Sequence, residues 1–125
     1  MEKYLYFRSD AILANDDDAA AGSNIYPLSS FLGMESTGNN TFELFFKGKH
    51  NSYASGHDDA AFGINDSVVI TTTTANNQKT VMKALVELFA NSRSKFIVVA
   101  DDHAAEYAHS DIASVGDFTV IADNA

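Results

Sequence analysis

The chain has 125 residues, 46% of them apolar, which is enough for one domain with a real core and too few for two ordinary ones. Seventeen acidic residues against eight basic ones give a net charge of -9 and a pI near 4.6. With no cysteine, disulfides, thiolate metal sites and cysteine nucleophiles are excluded. The scattered lysines and arginines offer no basic patch for nucleic acid or an anionic membrane.

Lys3 to Arg8 reads as an opening strand, with Leu5 and Phe7 on one face and Tyr4 and Tyr6 on the other. Two bulky faces predict a central strand, or one whose tyrosine face meets another subunit. The opening residues contain no apolar stretch long enough for a signal peptide, so synthesis inside the cell is expected. Asp10 to Asn24, with Asp16-Asp17-Asp18 and Gly22-Ser23-Asn24, reads mainly as a loop. Ile25 to Met34 is a predicted strand in which Pro27 suits a strand start or edge. Thr37-Gly38-Asn39-Asn40 is a turn cluster, and Thr41 to Lys47 follows as the clearest strand, with Phe42, Leu44 and Phe46 on one face. The two runs around that turn are expected to form a hairpin.

Residues 48–66 are polar and read as a surface loop or an interface element. Ser67 to Thr74 resumes β character, its threonines suiting an edge strand. Asn77 to Ala90 is the one helix, since Val81, Leu85, Leu88 and Phe89 recur at helical spacing beside Met82. Asn76 or Asn77 is placed to cap its start, and Asn91-Ser92 to end it with a left-handed residue. Phe96 to Ala100 has the apolar run of a buried strand, and Phe118 to Ala122 closes the chain as a last strand after Gly116.

The order β-β-β-β-α-β-β lacks the alternation of a doubly wound parallel sheet. The expected fold is α+β: a mainly antiparallel sheet or small, partly closed β-barrel with one packed helix, as a single β-rich domain over residues 1–125.

Three acidic clusters carry the chemistry that a metal would need. Asp16-Asp17-Asp18 lacks the glycine and the later glutamate of a calcium loop. His57-Asp58-Asp59 and Asp101-Asp102-His103, with His109 and Asp111, offer imidazoles and carboxylates to zinc or iron if their loops converge. Consecutive residues on extended chain point in alternate directions, so no single run makes a site, and Asp in loops more often builds turns. There is no Gly-x-Ser-x-Gly, Ser29-Ser30 has no evident histidine partner, and the glycines are isolated. The reading is therefore not an enzyme, with no catalytic, cofactor or metal residue assigned. The alternative is a small metal- or ligand-binding domain, or a metal-dependent enzyme, using His57, Asp58, Asp101, Asp102 or His103.

Lys3-Tyr4-Leu5-Tyr6-Phe7-Arg8, Gly33-Met34-Glu35, Phe45-Phe46-Lys47-Gly48, Asp66-Ser67-Val68-Val69 and Phe96-Ile97-Val98-Val99-Ala100-Asp101-Asp102 together carry a resemblance. The series resembles short proteins of marine tailed phages, of the T4-like cyanophage type. The resemblance implies a phage origin and a virion-associated or assembly role, and carries over no functional residue. With the bulky two-faced strands, it sets the expectation of a self-associating structural or accessory protein, a homo-oligomer that meets other phage structural proteins.

Overall fold

The computed structural model describes residues 2–9, 22–48, 65–116 and 118–119. In chain order these form β1 (Tyr4–Arg8), β2 (Ser23–Pro27), a 3-10 turn (Leu28–Ser30), β3 (Phe31–Ser36), β4 (Thr41–Lys47) and β5 (Asn65–Thr72). The helix α1 (Gln78–Asn91) follows, then β6 (Phe96–Asp101), β7 (Glu106–Tyr107) and β8 (Ile112–Val115).

The strands make two four-stranded sheets, β2-β1-β6-β7 and β3-β4-β5-β8. Every pairing is antiparallel except β1 with β6. In β4, Phe42, Leu44 and Phe46 are buried while the intervening residues are more accessible, the period-2 pattern of a strand with one face in the core. β1 does the same with Leu5 and Phe7. A bulge shifts the β1–β6 register from Tyr6↔Val98 to Phe7↔Ala100, which leaves Val99 as the extra residue.

The core forms where the inner faces meet. Phe46 of the second sheet stacks on Tyr26 of the first, with ring centroids 4.6 Å apart, and meets Phe7 edge-on at 5.8 Å. Phe118 packs on Phe7 and Tyr26, and Phe31 links Phe46 to Phe89 of the helix. Offset and edge-to-face aromatic pairs contribute beyond their buried area, roughly 0.5–1.5 kcal/mol each.

The helix buries Val81, Leu85 and Phe89 along one stripe. Its start is tied to the second sheet, where the Gln78 Nε2 donates to the Gly38 carbonyl at 2.6 Å. Its end is tied to the first sheet, where the Lys3 Nζ donates to the carbonyls of Phe89 (2.8 Å) and Ala90 (3.1 Å). Those carbonyls have no partner further along the helix, and the ammonium also complements the negative end of the helix dipole.

The α+β class and the β3–β4 hairpin are as expected; several details differ. Among the described residues the sheets do not close into a barrel. Pro27, without an N–H, ends β2, and Ser30 Oγ donates to its carbonyl at 2.8 Å as the 3-10 turn sends the chain into the other sheet. The run expected as one strand over 25–34 is thus two strands in two sheets. β5 lies between β4 and β8, so its threonines are interior to the sheet. The buried Thr72 hydroxyl donates to the Thr74 carbonyl at 2.8 Å, with the Asn40 carbonyl also in reach at 3.1 Å, which reconciles it with that position. Asn77 stands before the helix but makes no side-chain cap, and its Nδ2 donates to Asp111 Oδ2. The left-handed residue precedes the helix, at Asn76 (φ 63), while Ser92 after it is extended. Of the expected last strand, Phe118 is buried and Thr119 bridges Ser67; residues 120–122 lie outside the described residues.

Candidate interaction surface

The carboxylates singled out in the sequence are, where described, engaged in holding turns. Asp101 Oδ1 accepts from the backbone N–H of His103 and of Ala104, both at 3.0 Å, and so shapes the turn after β6. Asp102 Oδ1 accepts from the Tyr107 hydroxyl at 2.7 Å, and its Oδ2 accepts from the Val115 N–H at 3.3 Å. Burial, then the hydrogen bond to Asp102, push the Tyr107 phenol up to about 12. Asp111 accepts from the Asn77 amide (2.5 Å) and from the Thr74 hydroxyl (3.0 Å) and N–H (3.2 Å). These bonds, the Asn77 one first, hold its carboxyl below the ordinary value. His109 Nδ1 accepts from the Asp111 N–H at 3.0 Å. Asp101, Asp102 and His103 thus share one turn, and Asp111 belongs to another network at the helix start. Among the described residues no three His, Asp or Glu side chains are grouped to hold a metal ion. Asp16–Asp18 and His57–Asp59 lie outside the described residues.

A different surface stands out on the first sheet. Its inner positions, Leu5, Phe7, Tyr26, Ile97 and Val99, are in the core, so strand alternation turns their neighbours outward. In register, Pro27, Tyr4 and Phe96 form one cross-strand row, and Ile25, Tyr6 and Val98 form the next. The next row, Ser23, Arg8, Asp101 and Glu106, is polar and charged and bounds the apolar rows. Phe96 is 52% exposed, Tyr4 42% and Ile25 38%, although all three are large and apolar. The Tyr6 and Phe96 rings contact each other at 5.3 Å, and the Tyr6 hydroxyl shares a hydrogen bond with Ser23 Oγ at 3.3 Å. Half-buried side chains therefore pre-order the patch. In a chain with 17 acidic residues, the two rows Pro27-Tyr4-Phe96 and Ile25-Tyr6-Val98 carry no carboxylate.

The tyrosine face of β1 was legible from alternation alone. The exposure of Phe96 and the approach of Ile25 were not, since both depend on which strands flank β1. Among the described residues no helix is long and apolar enough to cross a membrane. Compared with models of protein families, with curated proteins and with solved structures, the chain matches none.

Proposed function

We propose that this chain is a non-enzymatic, self-associating structural or accessory protein of a tailed phage, and that a second copy docks on the outer face of the first sheet. The observation that carries this reading is the uncharged apolar grid of Tyr4, Tyr6, Ile25, Phe96 and Val98 on an otherwise acidic molecule. Two bodies of charge -9 repel each other, so a stable contact between copies is favoured where carboxylates are absent. Covering the exposed part of each large side chain contributes on the order of 1 kcal/mol. The resemblance of the sequence to tailed-phage proteins supports the setting, a virion or its assembly.

Size-exclusion chromatography with light scattering tests the association. A defined oligomer is expected, and Phe96→Glu should weaken it at least about tenfold, since an aromatic anchor typically contributes about 2 kcal/mol or more. A monomer at every soluble concentration sinks the reading. Mass spectrometry of purified virions tests the setting, and consistent absence of the chain would remove the virion role.

A further inference from the structure

Sheet edges are the second route by which β proteins associate, and this molecule treats its edges unequally. In β2, the bonds Leu28 N–H to Lys3 and Ser9 N–H to Gly22 set the pairing phase, which turns the backbone of Ser23, Ile25 and Pro27 away from β1. Pro27 has no N–H, and the Ile25 N–H is taken by Asn24 Oδ1 at 3.1 Å. In β8, Gly116 N–H bonds to Val69, so Val115 turns away from β5, and its N–H is taken by Asp102 Oδ2. The edge strand β7 has two residues only. Among the described residues, three of the four edges are blocked or short.

β3 is different. Thr37 N–H bonds to Thr41, and the register Glu35↔Glu43 and Gly33↔Phe45 continues that phase as far as a bulge at Leu32, between Phe31 and Gly33. The backbone groups of Met34 and Ser36 therefore point away from β4, towards an edge that no strand pairs with among the described residues. Beside this edge runs a groove lined by Ser36 and by the helix residues Lys79, Met82, Lys83, Val86 and Glu87. Met82 and Val86 are its apolar members, and Val86 is 51% exposed. The helix runs opposite to β3, with Gln78 at Gly38 and Phe89 against Phe31.

We infer that β3 pairs antiparallel with β3 of a second copy about a two-fold axis, making one continuous eight-stranded sheet flanked by the two α1 helices. An axis through Met34 pairs Met34 with its own copy and sets Ser36 opposite the partner's Leu32, the bulged residue of β3 and 56% exposed, at which the regular pairing ends. The same axis crosses α1 near its middle, because the helix and β3 are matched end to end. Lys83 of each copy then faces Glu87 of the other, with Met82 and Val86 between, so the charges are complementary under the two-fold operation. This interface shares with the proposal above the premise that the chain self-associates, but it uses a different surface. With both interfaces present, assembly proceeds beyond a dimer.

The test is sedimentation equilibrium of the wild type and of charge variants, each also in the Phe96→Glu background to isolate this edge. Lys83→Glu and Glu87→Lys should each weaken association at least tenfold, and the double variant should restore it, because the exchange preserves both reciprocal pairs. Amide exchange at Met34 and Ser36 should slow as protein concentration rises. Thermal melting of the variants, whose altered side chains are exposed, confirms that each is folded. A folded Phe96→Glu chain that stays monomeric, or a double variant no better than either single one, overturns the edge interface. If Phe96→Glu changes nothing while the charge variants behave as stated, the edge stands and the sheet-face interface falls.

Discussion

The Tyr26 hydroxyl donates to the Asp66 Oδ2 and joins β2 of one sheet to β5 of the other through fully buried groups. A carboxylate with no exposure is tolerable only if its oxygens are hydrogen-bonded. The same contact, after burial itself, raises the Tyr26 phenol far above its ordinary value, because ionisation would set two negative charges side by side. Tyr26→Phe keeps the ring stacked on Phe46 and Phe118 while taking one donor from Asp66. Unfolding in urea should show a loss of about 1–3 kcal/mol with an unchanged slope. A loss below a few tenths would mean that water or another donor replaces the hydroxyl fully.

Phe46 is the side chain on which both sheets lean, in ring contact with Phe7, Tyr26, Phe31 and Phe118. Phe46→Ala removes that shared contact and opens a cavity among buried neighbours. The expected cost is about 3–5 kcal/mol, a large share of the stability of a domain this size. Phe96→Ala, on the exposed face of the first sheet, should cost the isolated chain far less. Equal losses for the two variants would contradict the assignment of inner and outer faces.

Tyrosine ionisation followed by ultraviolet absorbance should resolve the environments of two of the five phenols. Tyr107 should titrate near 12, and Tyr26 should stay protonated until the protein unfolds in base. Both folded-state values are raised, so the stabilisation from these groups is fully present below the ordinary phenol value of about 10. It is lost as pH climbs through the folded values, so alkaline unfolding should begin between about 10 and 12. An ordinary titration of every tyrosine in the folded protein would refute both contacts.

The parts of the fold that were legible in the sequence are those governed by local period. Phe42-Glu43-Leu44-Phe45-Phe46 announces a half-buried strand, and Val81, Leu85 and Phe89 announce a helix stripe. Pairing over long separations was not legible. β1 lies beside β6, so Tyr4 meets Phe96 across most of the chain length, and no local pattern encodes that. The run Phe96-Ile97-Val98-Val99-Ala100 shows no alternation in residue type, which hid the fact that Phe96 points outward. The partners of the acidic residues were hidden in a related way. Composition gives a carboxylate but not its donor, and the donors of Asp102 come from Tyr107 and Val115, which only the tertiary fold brings near.

Asp102 offers the sharpest contrast between a ligand-binding and a structural carboxylate. It links β7 to β8 by accepting from the Tyr107 hydroxyl and the Val115 N–H, and it blocks the β8 edge in doing so. Asp102→Ala should lower stability by about 1–2 kcal/mol. It should also bring the Tyr107 titration down from about 12 towards its ordinary value, since both the hydrogen bond and the nearby charge are removed. Zinc, manganese or calcium should leave the melting temperature of the wild type unchanged. A metal that raises the melting temperature of the wild type but not of Asp102→Ala would convert this residue from a turn-holding group into a ligand.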